Sequence, residues 1–152
     1  MLFRSALARA GAPAEALILE VTERLVIADL ATAAEVLSEL SASGVRIAFD
    51  DFGSGHSGLS HLRDLPVDVV KLDRSFVAGL DTDRGRVLVS AVLELSTALG
   101  KRVIAEGIEC DEELDRLEEM GCTHGQGYLL GRPGPAADLR ASMRAARAPV
   151  AG

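Results

Sequence analysis

Short apolar runs alternate with segments of helical periodicity along the chain from residue 17 onward. The apolar runs are typical of buried strands, and they predict strands at 17–21, 45–50, 67–73, 102–106 and 125–130. Between them, apolar residues recur every three or four positions, which predicts helices at 30–43, 83–99, 111–120 and 136–146, with a short helical turn at 59–63. This alternation predicts a parallel sheet of the α/β class.

A polar side chain marks the end or the start of each predicted strand. These residues are Glu20, Asp50, Lys71, Glu106 and Gln126. Successive members are separated by about one β-α unit, so the strands should run parallel. Because the carboxyl ends of parallel barrel strands meet at one face, we expect these side chains to lie close together.

The motifs of doubly wound nucleotide-binding folds are missing from the strand ends. No GxGxxG and no GxxxxGK[ST] follows a predicted strand, so the pattern favours a TIM-type (β/α) barrel. A complete barrel takes about 250 residues, whereas this chain has 152 and offers about five β-α units. We therefore predict a partial barrel at 17–135, with a helix tail and connection at 1–16 and a closing helix and tail at 136–152.

Composition narrows the class of ligand and the cellular compartment. A formal net charge of -7 and only 3% aromatic residues argue against binding to a nucleic-acid polymer. Cys110 and Cys122 form no CxxC pair and predict reduced, buried thiols, as in the cytoplasm. No apolar stretch reaches the roughly 18 residues of a membrane-spanning helix, so we expect a cytoplasmic chain without a membrane segment.

The strongest chemical signal is the adjacent pair Asp50 and Asp51, which lies between an apolar strand and a glycine-rich segment. Ionised carboxylates next to an apolar core are costly unless they are paired or bind a metal, so the pair predicts a metal site. Structural alternatives remain open. These two residues or Glu20 could cap a helix, and Lys71 could form a rim ion pair with Asp73.

Four motifs occur in order along the chain, with a fifth segment behind them. They are Glu20-Val21-Thr22-Glu23, Asp50-Asp51-Phe52-Gly53-Ser54-Gly55-His56-Ser57, Lys71-Leu72-Asp73-Arg74-Ser75-Phe76-Val77 and Ala105-Glu106-Gly107-Ile108-Glu109, followed by Gln126-Gly127-Tyr128. From about Leu17 to Pro133 the chain thus resembles the EAL-domain family of cyclic di-GMP phosphodiesterases. The resemblance implies the C-terminal part of a (β/α)8 barrel that uses two Mg2+ or Mn2+ ions to hydrolyse cyclic di-GMP to linear pGpG in bacterial signalling.

The resemblance also implies a metal site and its catalytic groups. In it, Glu20 ligates the first metal, Asp50 bridges both metals and Asp51 holds the second. Lys71 orients the attacking water. Glu106 acts in the shell of the second metal or as general base.

The remaining motif residues would support the site or contact the substrate. Gln126 completes the site, and Glu23 anchors the glycine loop that follows the aspartate pair. Asp73, Glu109 and Gly127 are the implied substrate-binding residues.

The resemblance is incomplete at its N-terminal side. The family's name-giving Glu and a metal-binding Asn lie on strands that precede the matched region, so we expect this chain alone to be inactive. Glu15-Ala16-Leu17 spells the family motif but lies at a strand entrance, on the wrong face of a barrel. The expected partners are cyclic di-GMP and either a second copy of the chain or an upstream sensory or diguanylate cyclase domain.

Three other functions remain open. The chain could be a catalytically inactive module that binds cyclic di-GMP or regulates a partner. It could be a truncated fragment without a function of its own. It could also be an unrelated metal-dependent barrel hydrolase that acts on other phosphodiesters.

Overall fold

The computed structural model describes residues 2–22, 29–53 and 62–138. The strands are β1 Ile18–Thr22, β2 Arg46–Phe52, β3 Val69–Leu72, β4 Arg102–Glu106 and β5 Gly125–Gln126. The helices are α1 Leu2–Ala10, α2 Leu30–Ala42, α3 Arg74–Ala78, α4 Asp83–Ala98 and α5 Asp111–Glu119, and single 3-10 turns lie at Ala14–Ala16 and Gly79–Asp81. The turn predicted at 59–63 and the helix predicted at 136–146 lie partly outside the described residues.

The five strands form one parallel sheet in the order β1-β2-β3-β4-β5. Each strand therefore pairs with its neighbour in sequence, through a connection that carries the intervening helices. In the part of the chain that the structure describes, β1 and β5 are the two outer strands. The predicted α/β architecture of parallel strands and alternating helices is confirmed.

The last strand is shorter than predicted. It ends at Gln126 rather than at residue 130, because the backbone turns immediately afterwards. The amides of Leu130 and Gly131 both donate to the carbonyl of Gly127, at 3.1 and 3.0 Å. A carbonyl that serves a local turn in this way marks the end of the extended strand.

Helix bounds follow local side-chain chemistry. Asp29 accepts a hydrogen bond from the amide of Thr32 at 3.1 Å and begins α2, as its sequence position predicts. Gly44 ends that segment with a φ of 88°, which a residue with a Cβ rarely adopts. Asp73 caps α3 in the same way as Asp29, by accepting from the amide of Ser75 at 3.0 Å.

The core lies around the two strands β2 and β3. All four residues of β3 are buried, whereas β1 is only half-buried or exposed. Apolar residues of the helices, among them Leu37, Val89 and Leu117, join the strand residues in one hydrophobic cluster. Among the described residues, Lys71 is the one charged residue that is buried.

Two sequence-based expectations concern residues away from the sheet. Cys122 is buried, but Cys110 is exposed because it immediately precedes α5 at the surface, so the expectation of two buried thiols is wrong for Cys110. Of the helices that the structure describes, none combines the length and apolar character needed to cross a bilayer.

Candidate functional site

Lys71 is the centre of the candidate site. Its Nζ lies 2.9 Å from Glu20 Oε2, 2.7 Å from Asp50 Oδ1 and 2.8 Å from Glu106 Oε1. These partners come from β1, β2 and β4, while Lys71 stands on β3 between them. The strand order thus brings three of the five predicted polar residues to the ammonium group of a fourth, Lys71.

The ammonium of Lys71 is surrounded by more negative charge than it can neutralise. Burial alone would lower the pKa of Lys71, but hydrogen bonds to Asp50, Glu106 and Glu20 outweigh burial and hold that pKa above its ordinary value. Burial raises the pKa of Glu106, and the nearby carboxylates add to this rise against the opposing effect of Lys71. One cation facing three carboxylates leaves a net negative site.

Gln126 completes this group of polar residues from β5. Its Nε2 donates a hydrogen bond to Glu106 Oε1, the same oxygen that contacts Lys71. The pairing of Glu106 with Gln126 across β4 and β5 places the two side chains side by side. All five polar residues predicted from the strand pattern therefore belong to one hydrogen-bonded network.

An irregularity in β2 brings Asp50 and Asp51 together. The pairing of β2 with β3 is regular up to Phe49 and resumes at Phe52 with one extra residue in β2. Asp51 has a φ of 54°, in the left-handed region that Asp tolerates better than most residues. Adjacent side chains of a regular strand point to opposite faces. Because the bulge interrupts this alternation, both aspartates can present oxygen atoms to the same place.

The donor set fits a divalent metal ion. Carboxylate oxygens of Asp50, Asp51 and Glu106 lie within 4.8 Å of one another. Hard oxygen donors are the ligands that Mg2+ and Mn2+ prefer, and the acidic excess of the site would be offset by a dication. Glu20 is not a member of this oxygen cluster, but it contacts Lys71 at 2.9 Å.

A cleft of about 510 Å³ opens next to Gln126. Its lining includes Arg74, Glu109, Gln126, Gly127, Tyr128 and Arg132. The guanidinium of Arg132 lies 4.3 Å from the centre of the Tyr128 ring, a cation–π contact. Arg74 Nη2 lies 2.7 Å from Glu109 Oε2. The cleft thus combines cationic groups, an aromatic face and a carboxylate beside the acidic site.

The residues predicted to contact substrate divide into two groups. Glu109 and Gly127 line the cleft. Asp73 caps α3 through Ser75, whose hydrogen bonds lower the pKa of Asp73, and it does not contribute to the lining of the cleft. Its substrate contact stays a prediction. Glu23 lies outside the described residues.

The geometry decides between the metal site and two of the structural alternatives, the helix cap and the rim ion pair. Asp50 and Asp51 lie within β2 and face Lys71 or Glu106, so they cap none of the helices described. The rim ion pair of Lys71 with Asp73 is wrong, because Lys71 is buried and its partners lie on the neighbouring strands.

Sequence reasoning gave no role to two arginines of the cleft. Arg74 belongs to the motif from Lys71 to Val77, so its place just after a predicted strand was a signal that could have indicated a role. Arg132 lies four residues after Tyr128, but the turn that stacks them was predicted as a strand.

Comparisons with known proteins agree with the motifs. The model of the family described as EAL domain matches residues 1–133. The bifunctional diguanylate cyclase/cyclic di-GMP phosphodiesterase MucR of Pseudomonas aeruginosa is 42% identical over 141 residues, which make up 92% of this chain and 21% of MucR. The chain therefore spans about a fifth of the length of this curated relative.

Solved structures show the same relationship. The MucR phosphodiesterase in complex with c-di-GMP matches with a TM-score of 0.82 at 42% identity, over 90% of this chain and 56% of that one. The EAL domain of Mycobacterium smegmatis DcpA matches with a TM-score of 0.86 at 38% identity, over 94% of this chain and 65% of that one. Klebsiella pneumoniae BlrP1, in a manganese/cy-diGMP complex, matches with a TM-score of 0.83 at 34% identity, over 87% of this chain and 34% of that one.

The fold, the ordered motifs and these similarities all point to one family, and the partial TIM-type barrel predicted from the sequence is the corresponding part of its fold. The chain belongs to the EAL domain family of cyclic di-GMP phosphodiesterases.

Proposed function

We propose that this chain forms the metal-binding and substrate-binding face of an enzyme that hydrolyses cyclic di-GMP to linear pGpG. The observation that supports this most directly is the group of Asp50, Asp51 and Glu106 oxygens within 4.8 Å of one another, next to buried Lys71. A phosphodiester is anionic, so an acidic site needs metal ions and placed cations to accept it. Here the three carboxylates would bind the metal ions, and Lys71, Arg74 and Arg132 are the cations.

Asp50, Asp51 and Glu20 are the residues that would hold two divalent ions, Mg2+ or Mn2+, and Glu106 would either join them or act as the base. Bound ions would lower the pKa of a water molecule and neutralise charge that develops on the phosphate oxygens. The matched BlrP1 structures are complexes of cy-diGMP with calcium or manganese, which supports a divalent ion in this family.

The chain's own groups would orient the water and take its proton. Lys71 remains charged because its pKa is raised, and its three ion pairs occupy its three N–H donors. One of these carboxylates would have to release its donor for Lys71 to direct a water molecule. Lys71 and Gln126 both contact Glu106 Oε1, so Oε2 is the oxygen that would either bind the second ion or accept the proton. Burial raises the pKa of Glu106, which makes its carboxylate a better proton acceptor than an ordinary glutamate.

A second candidate function is binding of cyclic di-GMP without turnover. The cleft with Arg74, Tyr128 and Arg132 is built by this chain alone. The resemblance over about 17–133 implies, by contrast, that two further metal ligands of the family lie on strands that precede this part. We propose that the 152-residue chain binds metal and nucleotide, and that turnover requires those preceding strands.

The test measures metal binding and pGpG formation separately. Manganese binding to the purified chain is titrated by electron paramagnetic resonance, and pGpG is quantified by anion-exchange chromatography. The same assays are run on a barrel completed in cis with the family's N-terminal strands. We expect manganese binding in both proteins and pGpG only from the completed barrel. Absence of pGpG from a folded, manganese-loaded complete barrel would contradict the enzymatic function.

A further inference from the structure

Arg74 connects the carboxyl ends of two neighbouring strands. It is the first residue of α3, and the cap formed by Asp73 fixes the backbone from which its side chain starts. Its guanidinium reaches the loop that follows β4, where Nη2 lies 2.7 Å from Glu109 Oε2. The side chain therefore spans from the end of β3 to the end of β4.

The stem of Arg74 packs against the backbone on the way to Glu109. Gly107, which follows Glu106, has a φ of 74°. A Cβ at Gly107 would lie 2.6 Å from Arg74 Cγ and 2.8 Å from Arg74 Cβ, which is closer than such atoms can approach. The tight turn after Glu106 and the arginine stem therefore fit only because residue 107 is glycine.

Glu109 is held from its other side as well. Its amide donates to Glu113 Oε2 at 2.7 Å, so the first turn of α5 fixes the backbone while Arg74 fixes the carboxylate. Both members of the Arg74–Glu109 pair line the cleft next to Gln126. The side chains remain accessible, at 61% and 40% exposure. An exposed pair of this kind contributes little to the stability of a fold.

We propose that Arg74 is a positioning residue that sets the place of the Glu109 carboxylate in the cleft and thereby raises the affinity for cyclic di-GMP. This rests on the proposed function, in which the cleft takes the nucleotide. Arg74 acts through Glu109 and not through the metal site. Its loss should therefore weaken nucleotide binding while leaving metal binding and folding intact.

The test is a double-mutant cycle on the 152-residue chain, read by calorimetric titration with cyclic di-GMP in the presence of Mn2+. Arg74→Met keeps most of the stem over Gly107 and removes the guanidinium. We expect it to weaken nucleotide binding about fivefold, the size of one ion pair. Added to Glu109→Gln, it should cause almost no further loss, because the carboxylate that it positions is already gone.

Two arginine variants serve as comparisons. Arg132→Met removes a cationic group from the same cleft but not from Glu109, so its effect should add to that of Glu109→Gln. Arg63→Met removes a surface charge that pairs with Asp64, and it should leave nucleotide affinity unchanged. Arg74→Lys restores the charge and should recover part of the affinity.

The outcomes separate the positioning role from the proposed function. Nucleotide affinity within twofold of wild type in Arg74→Met, or additive losses with Glu109→Gln, would overturn the positioning role. A changed melting temperature or Mn2+ affinity in Arg74→Met would overturn it too, because a structural role alone predicts those changes. If the wild-type chain binds no nucleotide, the proposed function fails. The place of the Glu109 carboxylate then decides alone, in crystal structures of the wild type and of Arg74→Met: a displaced carboxylate supports positioning, and an unchanged one refutes it.

Discussion

The polar strand ends at the centre of the sheet differ from those at its edges. On the central strands, the side chains of Lys71, Glu106 and Asp50 are 7%, 15% and 21% exposed. On the outer strand β1, the Glu20 side chain is 51% exposed. The outer strand β5 is exposed at both of its residues. Polar residues at the carboxyl ends of the strands are thus buried at the centre of the sheet and exposed at its edges.

The number of neighbouring strands explains this difference. A central strand is held by hydrogen bonds to two neighbouring strands and by packing in the core. The polar side chain at its end is therefore restricted to one conformation. Among the described residues, the strand that carries Glu20 pairs with one neighbouring strand, β2. The ion pair with Lys71 is the contact that orients the Glu20 carboxylate. Central residues therefore form a preorganised site, while the edge residue is adjustable. Substitutions at the centre should affect both folding and metal binding, and a substitution at the edge should affect metal binding only.

The largest effect is expected for Lys71→Met. This change leaves three clustered carboxylates without their ammonium, and removing one partner of a buried ion pair costs about 3–5 kcal/mol of unfolding free energy. Urea unfolding without metal measures the loss, and Mn2+ should restore part of it. Lys101→Met is the matched control. Lys101 donates to the Val67 carbonyl at 2.7 Å outside the acidic cluster, and its loss should cost about 1 kcal/mol. Equal losses in the two variants would remove the distinction between the centre and the rest of the sheet.

Asp50→Asn comes next in size. It preserves the shape of the side chain but removes the charge at the centre of the oxygen cluster, so Mn2+ affinity should fall by at least about 100-fold. Manganese titration measures this change. Asp81→Asn provides a control on the surface, where Asp81 pairs with Arg116 and not with the site. Retained manganese affinity in Asp50→Asn would return Asp50 to a purely structural role.

Glu20→Gln should have a smaller effect than either central variant. Its half-exposed carboxylate is one of three partners of Lys71, so the unfolding free energy should change by less than about 1 kcal/mol. Mn2+ affinity should fall by less than in Asp50→Asn. The same titration and urea series apply. A loss of Mn2+ affinity equal to that of Asp50→Asn would show that the edge residue is as preorganised as the centre.

The smallest expected effect is the pH dependence of Mn2+ affinity and of metal-free stability that Glu106 causes. Because its pKa is raised, Glu106 takes up a proton at a higher pH than an ordinary glutamate, and a proton competes with metal. Mn2+ affinity should therefore begin to fall before the ordinary carboxylate range is reached. The folded chain also binds this proton more tightly than the unfolded chain, so the Glu106 contribution to metal-free stability rises as pH falls through the same window. In Glu106→Gln both trends should be absent. A Mn2+ profile unchanged by Glu106→Gln would contradict the assignment.

The sequence predicted the components of the site better than their arrangement. Glu20, Asp50, Lys71 and Glu106 could be predicted to meet, because each follows an apolar run and parallel strands share an end. The start of α2 at the Asp29 cap could be predicted equally well, because one side chain and its local backbone determine it.

Features that depend on packing between segments could not be predicted in this way. Strand alternation places Asp50 and Asp51 on opposite faces, and only the extra residue in the pairing with β3 reverses this. The early end of β5 depends on the carbonyl of Gly127 binding two amides. The contact of Arg74 with Glu109 joins residues on different β-α units, so no local pattern indicates it.

The strand order β1-β2-β3-β4-β5 also determines how the chain can fold. Each strand pairs with the strand one β-α unit away, so every pairing closes a loop of similar length and the entropic penalty of each closure stays moderate. Pairing can begin at any unit and extend in either direction, without waiting for distant parts of the chain. During synthesis, β1 and β2 can pair while the residues of β4 and β5 have yet to be made. The central site would then assemble in steps, and Lys71 would meet Asp50 before Glu106 arrives.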